Sequence, residues 1–153
     1  MITHSDKHEM FMRLALDEAN RAFEHDEVPV GAIVRLGGDV VARGRDKRIE
    51  TGDPAAHAEI LALREAAQRL GDWRLENCTL YVTLEPCPMC AGALILSRIP
   101  CLVYGAPNLK MGAVRSLCSL LDIPGWNHSV EVVEGILRDE CAEILTRFFS
   151  RKR

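Results

Sequence analysis

Long apolar runs are missing from this 153-residue chain. None approaches the ~18 consecutive apolar residues of a membrane-spanning helix. The opening residues, Met1 to Lys7, lack the apolar stretch of a secretory signal. Both absences lead to the expectation of a cytoplasmic protein with no membrane partner. There is no internal repeat, which excludes a solenoid. No low-complexity linker divides the chain, so residues 1–153 are expected to form a single domain. An excess of positive charge is also lacking. With 19 Lys and Arg against 22 Asp and Glu, the net charge of −3 creates no global field for nucleic acid. Basic residues do gather locally, at Arg43, Arg45, Lys47 and Arg48 and again from Arg147 to Arg153. These stretches are either solvated faces or local phosphate contacts, with Arg151, Lys152 and Arg153 the C-terminal candidates.

What is present is ordinary for a globular chain: 48% hydrophobic and 27% charged residues. Asp6 and Glu9 resemble a capping box, and Phe11, Leu14, Ala15, Ala19 and Ala22 recur at helical spacing to about His25. Val30–Leu36 and Val40–Arg45 flank Gly37-Gly38 and predict a hairpin. Asp53-Pro54 predicts the start of a second helix that ends at Leu70, with Gly71 as its stop. Thr79–Leu84 is rich in β-formers and predicts a central strand. A third helix follows from Pro86 to about Arg98, then a strand at Cys101–Tyr104. A short helix near Ser116–Leu121, a strand at Val130–Val133 and a final helix from Leu137 to Arg153 complete the order. This alternation predicts an α/β fold, a three-layer α/β/α sandwich around a mixed five-stranded sheet.

Six cysteines without a signal peptide favour a metal or a reactive thiol over disulfides. Cys78, Cys101, Cys118 and Cys141 are scattered and are expected in the core. The informative pair is Cys87 and Cys90, in Pro86-Cys87-Pro88-Met89-Cys90 at a helix start. Both sulfurs then fall on nearly one side, where free N–H groups and the helix dipole favour thiolates. With His57 they form a sulfur and imidazole set that suits Zn²⁺ better than Mg²⁺ or Ca²⁺. No second CxxC or HxxxH pair completes a closed structural site, so a fourth position is left for water. Glu59 lies two residues from His57, about 200° around a helix, and is placed as a general acid/base rather than a ligand. Two other readings stay open: a redox-active CxxC, and a structural zinc site closed by Cys78 or Cys101.

Taken together, the pattern is H-x-E followed by P-C-x-x-C, the signature of zinc deaminases. Beyond it, Glu27–Ala32 (EVPVGA), Ala56–Ile60, Leu80–Cys90, Ser97-Arg98-Ile99, Gly112-Ala113, Asn127-His128 and Phe148-Phe149 resemble the bacterial tRNA adenosine deaminases over nearly the whole chain. The resemblance implies a cytidine deaminase-like fold, a homodimer, one Zn²⁺ per chain, and conversion of adenosine to inosine at the wobble position of a tRNA anticodon loop. It implies that His57, Cys87 and Cys90 hold the zinc and that Glu59 moves protons. Ala58 and Leu84 would line the base pocket through their backbone, with Val30 as an apolar wall. Lys110, Asn127 and His128 would lie near the nucleic acid. Phe148 and Phe149 are expected to pack the last helix.

Two positions depart from the pattern. Where the family usually has asparagine against the target nucleotide, this chain has Asp46. An ionised carboxylate only accepts hydrogen bonds and would repel adenine N7, itself an acceptor, unless it is protonated or turned away. Where the family usually has aspartate, the chain has Asn108, which predicts weaker discrimination between RNA and DNA through the 2′-hydroxyl. The alternatives are therefore a free-base or nucleoside deaminase of the guanine or cytosine type, a variant with altered base preference acting on single-stranded DNA, and a zinc-stabilised RNA-binding module without turnover.

Overall fold

The structure is a computed structural model and describes residues 2–152. Its first helix, α1 (His4–Glu24), begins one turn earlier than the sequence predicts. Thr3 is the cap. Its hydroxyl accepts the Asp6 N–H while the Asp6 carboxylate accepts the Thr3 N–H, a reciprocal arrangement that uses up two free donors. The hairpin follows as β1 (Gly31–Leu36) and β2 (Asp39–Arg45). Next come a four-residue helix, α2 (Arg48–Thr51), and α3 (Ala58–Leu70). The Asp53-Pro54 start is not realised. Asp53 instead accepts the Ala55 N–H in a local turn, and the chain enters the helix only after His57.

The remaining order is β3 (Cys78–Leu84), α4 (Pro88–Leu96), β4 (Cys101–Ala106), a 3-10 turn at Leu120–Asp122, β5 (Glu131–Val133) and α5 (Arg138–Arg151). The predicted helix near Ser116–Leu121 shrinks to that turn. The strands lie in the order β2-β1-β3-β4-β5. The hairpin and the β1–β3 pair are antiparallel, whereas β3–β4 and β4–β5 are parallel. The mixed five-stranded sheet and its helical layers are those predicted.

Strand alternation divides the core into two layers. Ile33, Tyr81 and Val103 face Phe11, Met12, Ala15 and Ile144 of α1 and α5. Ala32, Val34, Leu80, Val82 and Leu102 face Ala62, Ala66, Leu94 and Ile95 of α3 and α4. Gly44 fixes the start of α3. A Cβ there would run into the Ala58 carbonyl oxygen and the Ala62 nitrogen, so only glycine lets helix and strand approach this closely. As a result, the N-termini of α3 and α4 converge beside the carboxyl end of β3, where ligands of open α/β sheets bind. Among the described residues no helix is long and apolar enough to cross a membrane.

Candidate active site

His57 and Cys87 are the N-caps of α3 and α4, both with extended backbone, and Cys90 lies one turn into α4. His57 Nδ1 sits 3.6 Å from Cys87 Sγ and 3.5 Å from Cys90 Sγ. Tetrahedral zinc with bonds of ~2.3 Å to sulfur and ~2.0 Å to nitrogen has an N···S edge of ~3.5 Å. The donor set and its spacing therefore fit a tetrahedral metal ion. Among the described residues these three form the one His/Cys/Asp/Glu group drawn together closely enough to hold an ion, and neither Cys78 nor Cys101 joins it. Of the scattered cysteines, Cys78 and Cys141 are buried as expected, Cys101 is half-buried, and Cys118 is exposed rather than in the core.

Hydrogen bonding to Cys90 and the neighbouring His57 hold the Cys87 thiol down to about 4. That negative neighbour, with burial, pushes Cys90 up, and contact with Cys87 raises His57. A cation among the three would favour the ionised form of both sulfurs. Glu59, in the first turn of α3, is 4% exposed. Burial pushes its carboxyl up to about 7, a value suited to accepting and returning a proton near neutral pH. Because His57 is the cap and not a helical residue, the expected 200° separation does not apply. Instead, the extended cap and the first helical turn let both side chains reach one cavity.

That cavity has a volume of about 640 Å³. Val30, Asp46, Ala58, Leu84, Asn108 and Lys110 all line it with His57, Glu59 and Cys87. Asn127 and His128 do not. Asn127 is exposed, and His128 Nε2 donates to the Ile99 carbonyl at 2.7 Å, which ties this segment to the connection between α4 and β4. Arg151 and Lys152 also lie off the cavity: both reach Asp26 at the end of α1, Lys152 at 2.7 Å. Arg153 lies outside the described residues. Three of the four basic residues of the 43–48 stretch face carboxylates, Arg43 with Glu18, Arg45 with Glu50 and Arg48 with Asp46.

Sequence reasoning did not place eight of the lining residues in the site, Arg48, Glu85 and Phe149 among them. The Phe148-Phe149 pair splits: Phe148 is buried against Phe23, whereas Phe149 is 49% exposed and borders the cavity. Helical periodicity could have found this, since adjacent residues on α5 point about 100° apart. Arg48 carried no such signal.

Three buried carboxylates hold the outer wall. Glu85, directly after β3, accepts the backbone N–H groups of Asn108, Val114, Arg115 and Ser116 and the Ser116 hydroxyl. Burial alone would raise the Glu85 carboxyl, but these bonds, that from Arg115 foremost, hold it below the usual range. Gly112 belongs to the same clamp, because a Cβ there would strike the Glu85 carboxylate. The Asn108 side-chain oxygen accepts the Met111 N–H at 3.1 Å, so that acceptor is already in use and the amide NH₂ is the free end. Glu27 accepts the Ile49 and Glu50 N–H groups and fixes α2. Asp46 is the third, and both of its carboxylate oxygens are engaged by Arg48.

This sheet, with a metal-ligand triad and a buried carboxylate at its helix N-termini, defines a deaminase of the cytidine deaminase-like fold. The MafB19-like deaminase family matches residues 6–153. The chain is 47% identical to the tRNA-specific adenosine deaminase of Bacillus subtilis over 95% of its length and 90% of the relative's. It is also 47% identical to that of Aquifex aeolicus, over 95% of each. A solved structure from work on A-to-I editing by tRNA:A34 deaminases superposes with a TM-score of 0.86 at 48% identity, covering 89% of this chain and 99% of that one. The guanine deaminase of Nitrosomonas europaea is more distant, with a TM-score of 0.78 at 28% identity over 93% of this chain and 84% of that one. The chain belongs to the MafB19-like deaminases and, among them, to the tRNA-specific adenosine deaminase family, and it is a hydrolytic enzyme.

Proposed function

We propose that this enzyme converts adenosine to inosine in a single-stranded nucleic-acid loop, foremost the wobble position of a tRNA anticodon, using one Zn²⁺ per chain. The observation that carries this reading is the ligand triad and buried Glu59 sharing one cavity, in a chain 47% identical to enzymes of that activity. A base in a loop reaches such a cavity without the cost of breaking a duplex pair.

His57, Cys87 and Cys90 would hold the zinc, which when bound supplies a water acidified toward ~7 as the nucleophile. Glu59 takes the proton from the attacking water and delivers it to the ring nitrogen beside the amino-bearing carbon. As the new C–O bond forms, that carbon becomes tetrahedral. Glu59 then passes the remaining hydroxyl proton to the amino nitrogen, the C–N bond breaks, and ammonia leaves with inosine behind. Val30 and Leu84 supply apolar walls, and Lys110 adds positive charge on an exposed part of the cavity rim. Asn108 presents an amide donor where an aspartate would accept from a 2′-hydroxyl, so RNA and DNA loops are both accepted.

The exposed apolar residues Met89 and Leu96 of α4, with Leu117 and Ile123 on the adjoining segment, support a homodimer through this face. Cytoplasmic action agrees with a tRNA substrate. Competition among free adenosine, guanine, cytidine and an anticodon stem-loop tests the reading. A preference for the stem-loop that weakens with salt is expected. Equal or better turnover of free guanine, as the likeness to the Nitrosomonas enzyme would allow, overturns it. Matched RNA and DNA hairpins are expected to react at similar rates, and strict dependence on RNA would end the Asn108 argument.

A further inference from the structure

Asp46 and Arg48 form the most completely specified pair on the cavity wall. The Asp46 carboxylate is 3% exposed as a residue, yet every approach to it comes from Arg48. Oδ1 accepts the Arg48 backbone N–H at 3.0 Å and Nε–H at 3.1 Å. Oδ2 accepts Nε–H at 3.0 Å and lies 2.8 Å from Nη2. Neither oxygen is left to meet a base. The guanidinium, in contrast, is 40% exposed and has donors to spare: Nη1 and the second hydrogen of Nη2 are not used on Asp46. Both residues border the same cavity as His57, Glu59 and Cys87.

The backbone under Arg48 is fixed as firmly as its side chain. Glu27, 1% exposed, accepts the N–H groups of Ile49 at 3.1 Å and Glu50 at 2.7 Å. Lys47 N–H reaches the Ala56 carbonyl, and the Thr51 hydroxyl closes back on the Lys47 carbonyl. A planar fork held this way at both ends offers a donor at a defined place with little ordering left to do. The pair as a whole is neutral, so a base acceptor meets donors rather than a carboxylate.

Resting on the deaminase reading above, we infer that Arg48 is a specificity-determining residue of this chain: its guanidinium donates to the N7 acceptor of the target purine, and Asp46 is the positioning residue that aims it. The donor that this wall offers to the cavity is thus residue 48, with residue 46 behind it. Removing Arg48 alone leaves a buried carboxylate facing N7, and changing Asp46 to asparagine in that background restores a donor.

The test uses the zinc-loaded full chain and two stem-loops that differ only in adenosine or 7-deazaadenosine at the target, the latter lacking the N7 acceptor. For the unaltered enzyme, 7-deazaadenosine is expected to lower kcat/KM about tenfold or more, the range of a charge-assisted hydrogen bond. Arg48→Ala is expected to lose a similar factor with adenosine and nothing further with 7-deazaadenosine. Arg48→Lys, which keeps the charge without the fork, should fall between them, and zinc content and melting temperature check folding in each case. Arg48→Ala with Asp46→Asn should recover adenosine turnover and sensitivity to 7-deaza substitution. An equal 7-deaza penalty in the unaltered enzyme and in both Arg48 variants overturns the inference, and assigns Arg48 to a phosphate or to no contact if adenosine turnover falls or holds. Asp46→Ala with Arg48 retained is expected to lose the 7-deaza sensitivity while zinc content holds, and a 7-deaza penalty equal to that of the unaltered enzyme overturns the positioning role of Asp46. If the unaltered enzyme yields no inosine from the adenosine stem-loop, the function proposed above fails, and this inference with it.

Discussion

At the metal-ligand end of the cavity, His57, Cys87 and Cys90 stand on two helix N-termini, each placed by its own short segment. At the outer wall, Asp46, Arg48 and Asn108 are placed by carboxylates from elsewhere, Glu27 for the turn that carries Arg48 and Glu85 for the loop that carries Asn108. The first construction takes its ligands from two helix starts, one of them seated against Gly44. The second depends on buried charges that each satisfy several backbone donors, so losing one acceptor strands many groups at once. Chemistry should therefore fail cleanly at the first end, whereas binding and stability should fail together at the second.

The largest effects belong to the metal-ligand end. Replacing Cys90 with serine should drop metal content from one per chain, read by elemental analysis, and reduce deamination to background. A fully active, metal-free variant would break the comparison at its root. Glu59→Ala should keep the metal and lose about 10²–10⁴-fold in kcat, the range of general acid/base catalysis. Near-normal turnover with metal bound would remove Glu59 from the proposed role.

The wall comes next. Glu85→Ala removes the acceptor for four backbone N–H groups and one hydroxyl. Denaturant unfolding should report a loss of about 3–5 kcal/mol. Metal content should be unchanged and KM for a stem-loop raised, because the loop bearing Asn108 and Lys110 is released. Unchanged stability would show that the clamp is not what holds the wall.

A smaller effect follows from acidity. Glu85 is held below its ordinary 4.5 in the folded state. Its contribution is therefore fully present above about 4.5 and is lost as pH falls through the lower folded value. Unfolding measured from pH 6 downward should show the unaltered protein losing stability below that point, and Glu85→Gln losing less. Parallel pH profiles would sharpen the comparison by placing the acid-sensitive group elsewhere.

The same contrast decides how much was legible in the sequence. His57, Glu59, Cys87 and Cys90 could be read because ligand and proton-transfer chemistry needs those residue types in the H-x-E and C-x-x-C spacings. The mixed sheet could be read because Leu80–Val82 and Leu102–Tyr104 are unbroken apolar runs, as strands buried on both faces require, and they alternate with helical segments. The wall could not. Arg48 sits in a four-residue helix that no periodicity reveals, and Glu27, which holds it, lies more than 20 positions earlier. Asp53-Pro54 carries a helix-start signal, but the Asp53 side chain is used in a turn. The resemblance puts Asn127 and His128 near the nucleic acid; neither lines the cavity, and the bond from His128 to the Ile99 carbonyl fixes that segment.

Mass spectrometry of an anticodon stem-loop, before and after incubation with enzyme assayed at one zinc per chain, tests the central claim most directly. The account predicts a gain of about one mass unit at a single loop adenosine, the mark of an amino group exchanged for oxygen. An unchanged stem-loop in the presence of the fully zinc-loaded protein would contradict it.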